Sequence, residues 1–122
     1  MFELPKARIL RGYKAFSDVL ARGNSVSSGS IRLFYLPATR TSPPRVGFSV
    51  SRIIRRASER NRIRRCLKEA YRHHMTEIPT LRGQSLDIVI LYRGREGEIV
   101  RMRSVEKDLL AAVKRLAKDL SL

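Results

Sequence analysis

Arg60-Asn-Arg-Ile-Arg-Arg-Cys-Leu-Lys-Glu-Ala-Tyr-Arg72 is the stretch around which the chain is organised. Placed on a helix at about 100° per residue, Ile63, Cys66, Leu67, Ala70 and Tyr71 fall on one side, the i, i+3, i+4, i+7, i+8 spacing of a core-facing stripe. Asn61, Arg64, Arg65, Lys68 and Arg72 gather on the other side, with Arg60 at the border. Glu69 is the only acid inside the stretch and is spaced to pair locally with Arg65 or Arg72. Like charges at Arg60/Arg64, Arg64/Lys68 and Arg65/Arg72 repel at helical spacing. A merely solvated face normally mixes signs, so this one reads as a surface for phosphate.

Upstream, Arg45-Val-Gly-Phe-Ser-Val-Ser-Arg52 alternates like a strand, with Val46, Phe48 and Val50 pointing one way and Gly47, Ser49 and Ser51 the other. From position 52 to 65 there are seven arginines and one acid, Glu59. Gly47-Phe-Ser-Val-Ser-Arg52 followed by Arg60-Asn-Arg-Ile-Arg-Arg65 resembles the protein subunit of bacterial ribonuclease P. That family carries a Gly-Phe-Ser-Val-Ser-Lys-type strand and, at fixed distance, Arg-Asn-Arg-x-Lys/Arg-Arg. The resemblance is gapless over about 45–72 and continues more loosely from Phe16 to Asp87-Ile-Val-Ile-Leu-Tyr-Arg93. Ile53, Arg55 and Ser58 depart from the family's lysine, glycine and valine, which bears on the 52–58 connection and not on the helix.

Composition points the same way. A length of 122 residues fits one domain with a single modest core. The formal charge of +15 calls for a polyanionic partner, and 20 of the 26 basic residues are arginine, which binds phosphate bidentately and stacks on bases. No apolar run approaches a membrane span and no signal-peptide pattern opens the chain. One cysteine allows no internal disulfide, which fits a reducing cytoplasm.

Taken in order, residues 1–11 read as an extended arm or loop. Residues 12–22 read as a helix with Tyr13, Phe16, Val19 and Leu20 on one face, stopped by Gly23. A short strand around Val26 precedes a strand over 30–37, with Ile31, Leu33 and Tyr35 on one face and Arg32, Phe34 and Leu36 on the other. Phe34 either packs under the first helix or, with Arg32 and Arg52, offers a surface to an unpaired strand of nucleic acid. Residues 38–44 have the composition of a hairpin loop, so 45–51 is expected to return antiparallel. The central helix is expected over 57–74. Residues 85–93 are nearly continuously apolar, the mark of a central strand covered on both faces. Ser104 is expected to cap a last helix with Val105, Leu109, Ala112, Val113, Leu116 and Leu120 as its stripe. The charges of that helix nearly balance, which assigns the basic excess to the central helix and its approach.

The expected fold is therefore α+β, a single-domain sandwich over 1–122 in the order α-β-β(-β)-α-β-α, with a mixed sheet of about four strands packed by helices. The resemblance adds a left-handed βαβ crossover between parallel strands.

No constellation for catalysis stands out. His73 and His74 are adjacent, point about 100° apart and have no Cys or Asp partner at ligand spacing. Cys66 reads as a small core residue. Glu59, Glu69 and Asp87 do not form a spaced carboxylate cluster for a two-metal nuclease. The residues alone describe a nucleic-acid-binding module with no catalytic residue and no bound metal or other cofactor.

The resemblance implies more. Catalysis would be carried by an RNA subunit with its own magnesium, while the protein binds that RNA and the 5′ leader of precursor tRNA. Arg60, Asn61, Arg62, Arg64 and Arg65, extended by Lys68 and Arg72, would form the RNA-binding motif. Phe16, Leu20, Phe34, Ser49, Ser51 and Arg52 would line the leader cleft, with Leu20 standing where the family often has a second phenylalanine. A ribosomal or other structural RNA-binding protein is the alternative. A DNA-binding helical module fits less well, since no recognition-helix pair precedes the basic helix.

Overall fold

The apolar stripe of the central helix is covered along its length. Ile63, Leu67, Ala70 and Tyr71 are buried, and the helix spans Ala57–His74 as its spacing predicts. Cys66, at the edge of the stripe, is only partly buried. The computed structural model describes residues 10, 13–37, 45–74, 86–94 and 100–120. Their elements are, in order, α1 (Tyr13–Arg22), β1 (Asn24–Ser28), β2 (Ile31–Pro37), β3 (Arg45–Val50), α2 (Ala57–His74), β4 (Leu86–Tyr92) and α3 (Met102–Leu120). This is the expected α+β fold.

The sheet runs β1-β2-β4-β3 and is mixed. β1 and β2 form a hairpin in which Ser28 opposes Ile31. Gly29 opens its two-residue turn with φ 56°, a conformation that costs a side-chain-free residue little.

The expected antiparallel return of β3 on β2 does not occur. β4 lies between them, antiparallel to β2 and parallel to β3, which it reaches through α2. The physical reason lies in side-chain distribution. Ile88, Ile90 and Tyr92 belong to one apolar cluster and Val89 to another on the opposite face, so β4 must be covered on both sides and takes an inner position. β3 alternates Gly47 and Ser49 with Val46, Phe48 and Val50 and fits an edge. The 38–44 segment, read as a hairpin loop, lies outside the described residues.

Two layers flank the sheet. On one face Ile31, Leu33, Tyr35, Val46, Val50, Ile88 and Ile90 pack under α2 and α3, with Val105, Leu109, Ala112, Val113 and Leu116 from α3. Phe48 meets Tyr71 edge to face, with ring centroids 5.9 Å apart. On the other face α1 covers Val89 with Val19, Ala15 and Phe16. Of the expected arm over 1–11 only Leu10 is described; it is buried there, and its N–H donates to the Val46 carbonyl at 2.8 Å.

α3 starts two residues before the expected cap. The Val105 N–H donates to the Arg101 carbonyl at 3.1 Å, which places Ser104 inside the first turn. Its stripe is buried as predicted from Val105 to Leu116; the Leu120 side chain lies outside the described residues.

Candidate nucleic-acid interface

The basic residues of α2 divide into two groups by what their guanidinium groups touch. Arg60 reaches back over the start of its own helix and donates through Nη1 to the carbonyls of Ile54 at 3.1 Å and Arg55 at 3.4 Å. These bonds hold the connection in which Ile53, Arg55 and Ser58 depart from the family pattern. That connection is ordered: the Ile54 N–H closes a turn on the Ser51 carbonyl at 3.1 Å, and the Ile54 side chain is buried. The turn projects Arg52 and Ile53 into solvent.

Arg62 is also held from within. It donates to both carboxylate oxygens of Glu59, at 2.7 and 3.3 Å, and through Nη1 to the Val100 carbonyl at 3.2 Å, just ahead of α3. Arg72 makes the same bidentate contact with Glu69, at 2.8 and 3.0 Å. The paired guanidinium groups hold the carboxyls of Glu59 and Glu69 below the usual glutamate range.

The second group faces outward. Arg64, Arg65 and Lys68 are exposed, and no acid among the described residues pairs with them. Arg64 Nη1 donates to Asn61 Oδ1 at 3.0 Å, which orients its head but leaves its charge uncancelled. Arg52, Arg55 and Arg56 extend the exposed basic surface onto the approach to α2. Arg60 and Arg62 thus make internal bonds that helical spacing alone did not reveal.

This division makes a direct prediction. Arg62→Ala should lower the urea midpoint by roughly 1 kcal/mol of stability, since the bond to the Val100 carbonyl goes with the side chain. Arg65→Ala should stay within about 0.5 kcal/mol of the parent. Equal midpoints for the two variants would show that Arg62 anchors nothing.

Of the candidate cleft residues, Phe16 and Phe34 meet on the opposite face of the sheet, and strand alternation puts Ser49 on that same face. The register aligns Phe34, Val89 and Gly47 in one row and Arg32, Leu91 and Ser49 in the next. Phe16 descends from α1 onto this surface, and its ring sits where a side chain on Gly47 would be: an added Cβ would lie 2.3 Å from Phe16 Cζ. Phe16 and Phe34 are both half-buried in the small cluster around Val19 and Val89, so each packs and keeps part of its surface open to solvent. Leu20, one turn after Phe16, is 42% exposed. Ser49 is half-exposed on the edge strand. Ser51 closes the strand by donating its N–H to the Tyr92 carbonyl at 2.8 Å, and Arg52 follows it.

Arg32, which strand alternation puts on the Phe34 side of β2, belongs with the cleft residues although the family resemblance does not include it. Its guanidinium carbon lies 5.2 Å from the Phe34 ring centroid, and Nε and Nη2 approach Ser25 Oγ at 3.4 and 3.3 Å. The signal was present as Arg-x-Phe at strand period on one face. The bond to β1, which fixes the head, had no local trace.

Among the described residues no group of three or more His, Cys, Asp and Glu side chains stands together as a metal-holding cluster, and no helix is long and apolar enough to cross a membrane. The His74 side chain lies outside the described residues.

Known proteins match this arrangement over most of its length. The ribonuclease P family model matches residues 4–117. The ribonuclease P protein component of Pelotomaculum thermopropionicum is 35% identical over 107 residues, covering 88% of this chain and 90% of its own. That of Desulfovibrio desulfuricans is 32% identical over 121 residues, covering 96% and 88%. The Thermotoga maritima ribonuclease P protein superposes with a TM-score of 0.72 at 26% identity, over 88% of this chain and 96% of its own. The Staphylococcus aureus protein shares the fold, with a TM-score of 0.75 at 22% identity over 91% and 96%. Nothing among these matches favours the ribosomal reading. Basic helix, family model and relatives agree, and the chain belongs to the ribonuclease P protein family, the RNA-binding protein component of a tRNA-processing ribonucleoprotein.

Proposed function

We propose that the protein has two RNA-facing surfaces with separate tasks. The outward face of α2, carrying Arg64, Arg65 and Lys68, grips the ribonuclease P RNA. The α1 face of the sheet, with Phe16, Leu20, Phe34, Ser49, Ser51 and Arg52, receives the single-stranded 5′ leader of precursor tRNA. The observation that carries the first assignment is a row of exposed cations on α2 whose nearest acids, Glu59 and Glu69, are engaged by Arg62 and Arg72. Phosphate contacts of this kind position a macromolecule without reading its sequence.

The second assignment rests on two half-buried aromatic rings, one of them under the Arg32 guanidinium, a combination that accepts single strand by stacking and charge. Arg32 over Phe34 adds a cation whose position is set before any strand arrives. Bound to both, the protein holds the leader against the RNA that cuts it. Cleavage chemistry, with its magnesium, belongs to the RNA. The particle works on RNA in the cytoplasm, and neither DNA nor a membrane is a partner.

Purified protein free of RNA should leave precursor tRNA intact across a magnesium titration, as followed on a gel. Robust cleavage by the RNA-free, metal-supplemented protein would overturn the assignment of chemistry to the RNA.

A further inference from the structure

We propose that the outer crown of α3 is a second phosphate-binding surface, and that its partner is the ribonuclease P RNA. This rests on the RNA-component reading above and extends it to a helix in which charges of both signs are interspersed along the chain. α3 carries Arg103, Lys107, Lys114, Arg115 and Lys118 against Glu106, Asp108 and Asp119. In space the two signs separate. At about 100° per residue, Arg103, Lys107, Lys114 and Lys118 share a sector roughly 60° wide, opposite the buried stripe.

The acids lie on the flanks, and each is engaged. Asp108 Oδ2 accepts from the Ser30 N–H at 3.1 Å and from Ser30 Oγ at 2.9 Å. Asp119 Oδ2 accepts from Tyr35 Oη at 3.1 Å. Glu106 Oε1 lies 3.6 Å from His73 Nδ1 on α2. Arg115 turns to the hairpin flank as well and donates to the Ser27 carbonyl. What remains on the crown is positive. Arg103, Lys107 and Lys114 are exposed and pair with no acid among the described residues. They extend over about 17 Å of helix, long enough to meet several phosphates of one backbone.

The choice of RNA follows from the layers. α3 packs beside α2, on the sheet face opposite α1. A leader lying against Phe16 and Phe34 is therefore separated from the crown by the whole sheet and a helix. The RNA held by α2 is on the crown's own side.

The test is the triple variant Arg103→Gln/Lys107→Gln/Lys114→Gln, which removes charge and keeps good helix formers. Its binding to ribonuclease P RNA is measured from about 50 to 200 mM salt beside the parent and Arg64→Ala/Arg65→Ala. With three phosphate-neutralising cations removed, the slope of log affinity against log salt should be shallower by about 2–3, shrinking the parent's advantage by about 20–40-fold across the series. The single variant Lys107→Gln should lose about 0.7–0.9 of slope and serves if the triple variant does not fold. An unchanged slope in a folded triple variant, while the α2 pair loses slope, would make the crown a solvated face and overturn the proposal alone. Loss confined to precursor tRNA would overturn the choice of partner. A parent protein with no salt-dependent binding to the RNA would sink the RNA-component reading itself.

Discussion

Replacing Arg64 and Arg65 together by alanine is expected to weaken assembly with ribonuclease P RNA while the fold survives. Both side chains project from α2 on the side away from Ile63, Leu67, Ala70 and Tyr71, so the core keeps its packing. Alanine also keeps helix propensity, and the unfolding midpoint should hold within about 0.5 kcal/mol of the parent. Each phosphate contact that disappears removes about 0.7–0.9 from the slope of log affinity against log salt, so the pair should lose about 1.4–1.8. Between about 50 and 200 mM salt that difference changes the ratio of parent to variant affinity roughly tenfold. The measurement is a salt series of equilibrium binding. An unchanged slope in the double variant would show that these arginines face water.

A second large effect is expected at the cleft, where two substitutions should converge from different sides. Phe16→Ala removes the ring. Gly47→Ala leaves the ring but occupies its place, since a Cβ there lies 2.3 Å from Phe16 Cζ and the ring must swing away. Because Phe16 is half-buried, its removal should cost about 1–2 kcal/mol of stability, less than the full burial of a core phenylalanine. The larger effect should fall on binding. If one leader base stacks on the ring, holoenzyme affinity for precursor tRNA should drop by about 1–3 kcal/mol, roughly 5- to 150-fold, in either variant. Mature tRNA, which lacks the leader, should bind as before. Equal losses for both substrates, or a collapsed unfolding midpoint, would return Phe16 to packing alone.

Much of this architecture was legible in the residues. Helix α2 was readable in position and facing because its stripe from Ile63 to Tyr71 is continuous. β4 was readable as an inner strand because apolar residues at successive positions demand cover on both faces. The pairing of β3 was not readable. A proline-rich link between two strands looks like a hairpin, and strand order depends on which strand needs two covered faces, a property of the whole sheet. The site divided in the same way. The spacing of Arg64, Arg65 and Lys68 placed them outward, and they are outward. Arg60 and Arg62 share the motif, but their partners, the carbonyls of Ile54 and Val100, become neighbours only on folding. The role of Gly47 also needs the fold, since only packing brings Phe16 over it.

We propose that this protein is the accessory subunit of a ribonuclease whose chemistry lies in RNA. The decisive measurement is cleavage of precursor tRNA by a bacterial ribonuclease P RNA at low magnesium, with and without the protein. On the proposed assignment, basic side chains on α2 would stabilise the RNA and the cleft would hold the leader, and both should matter most where magnesium is too scarce to screen phosphate repulsion. Little cleavage is expected from the RNA alone, and accurate release of the leader once the protein is added. Cleavage at the same slow rate with and without folded protein would contradict it.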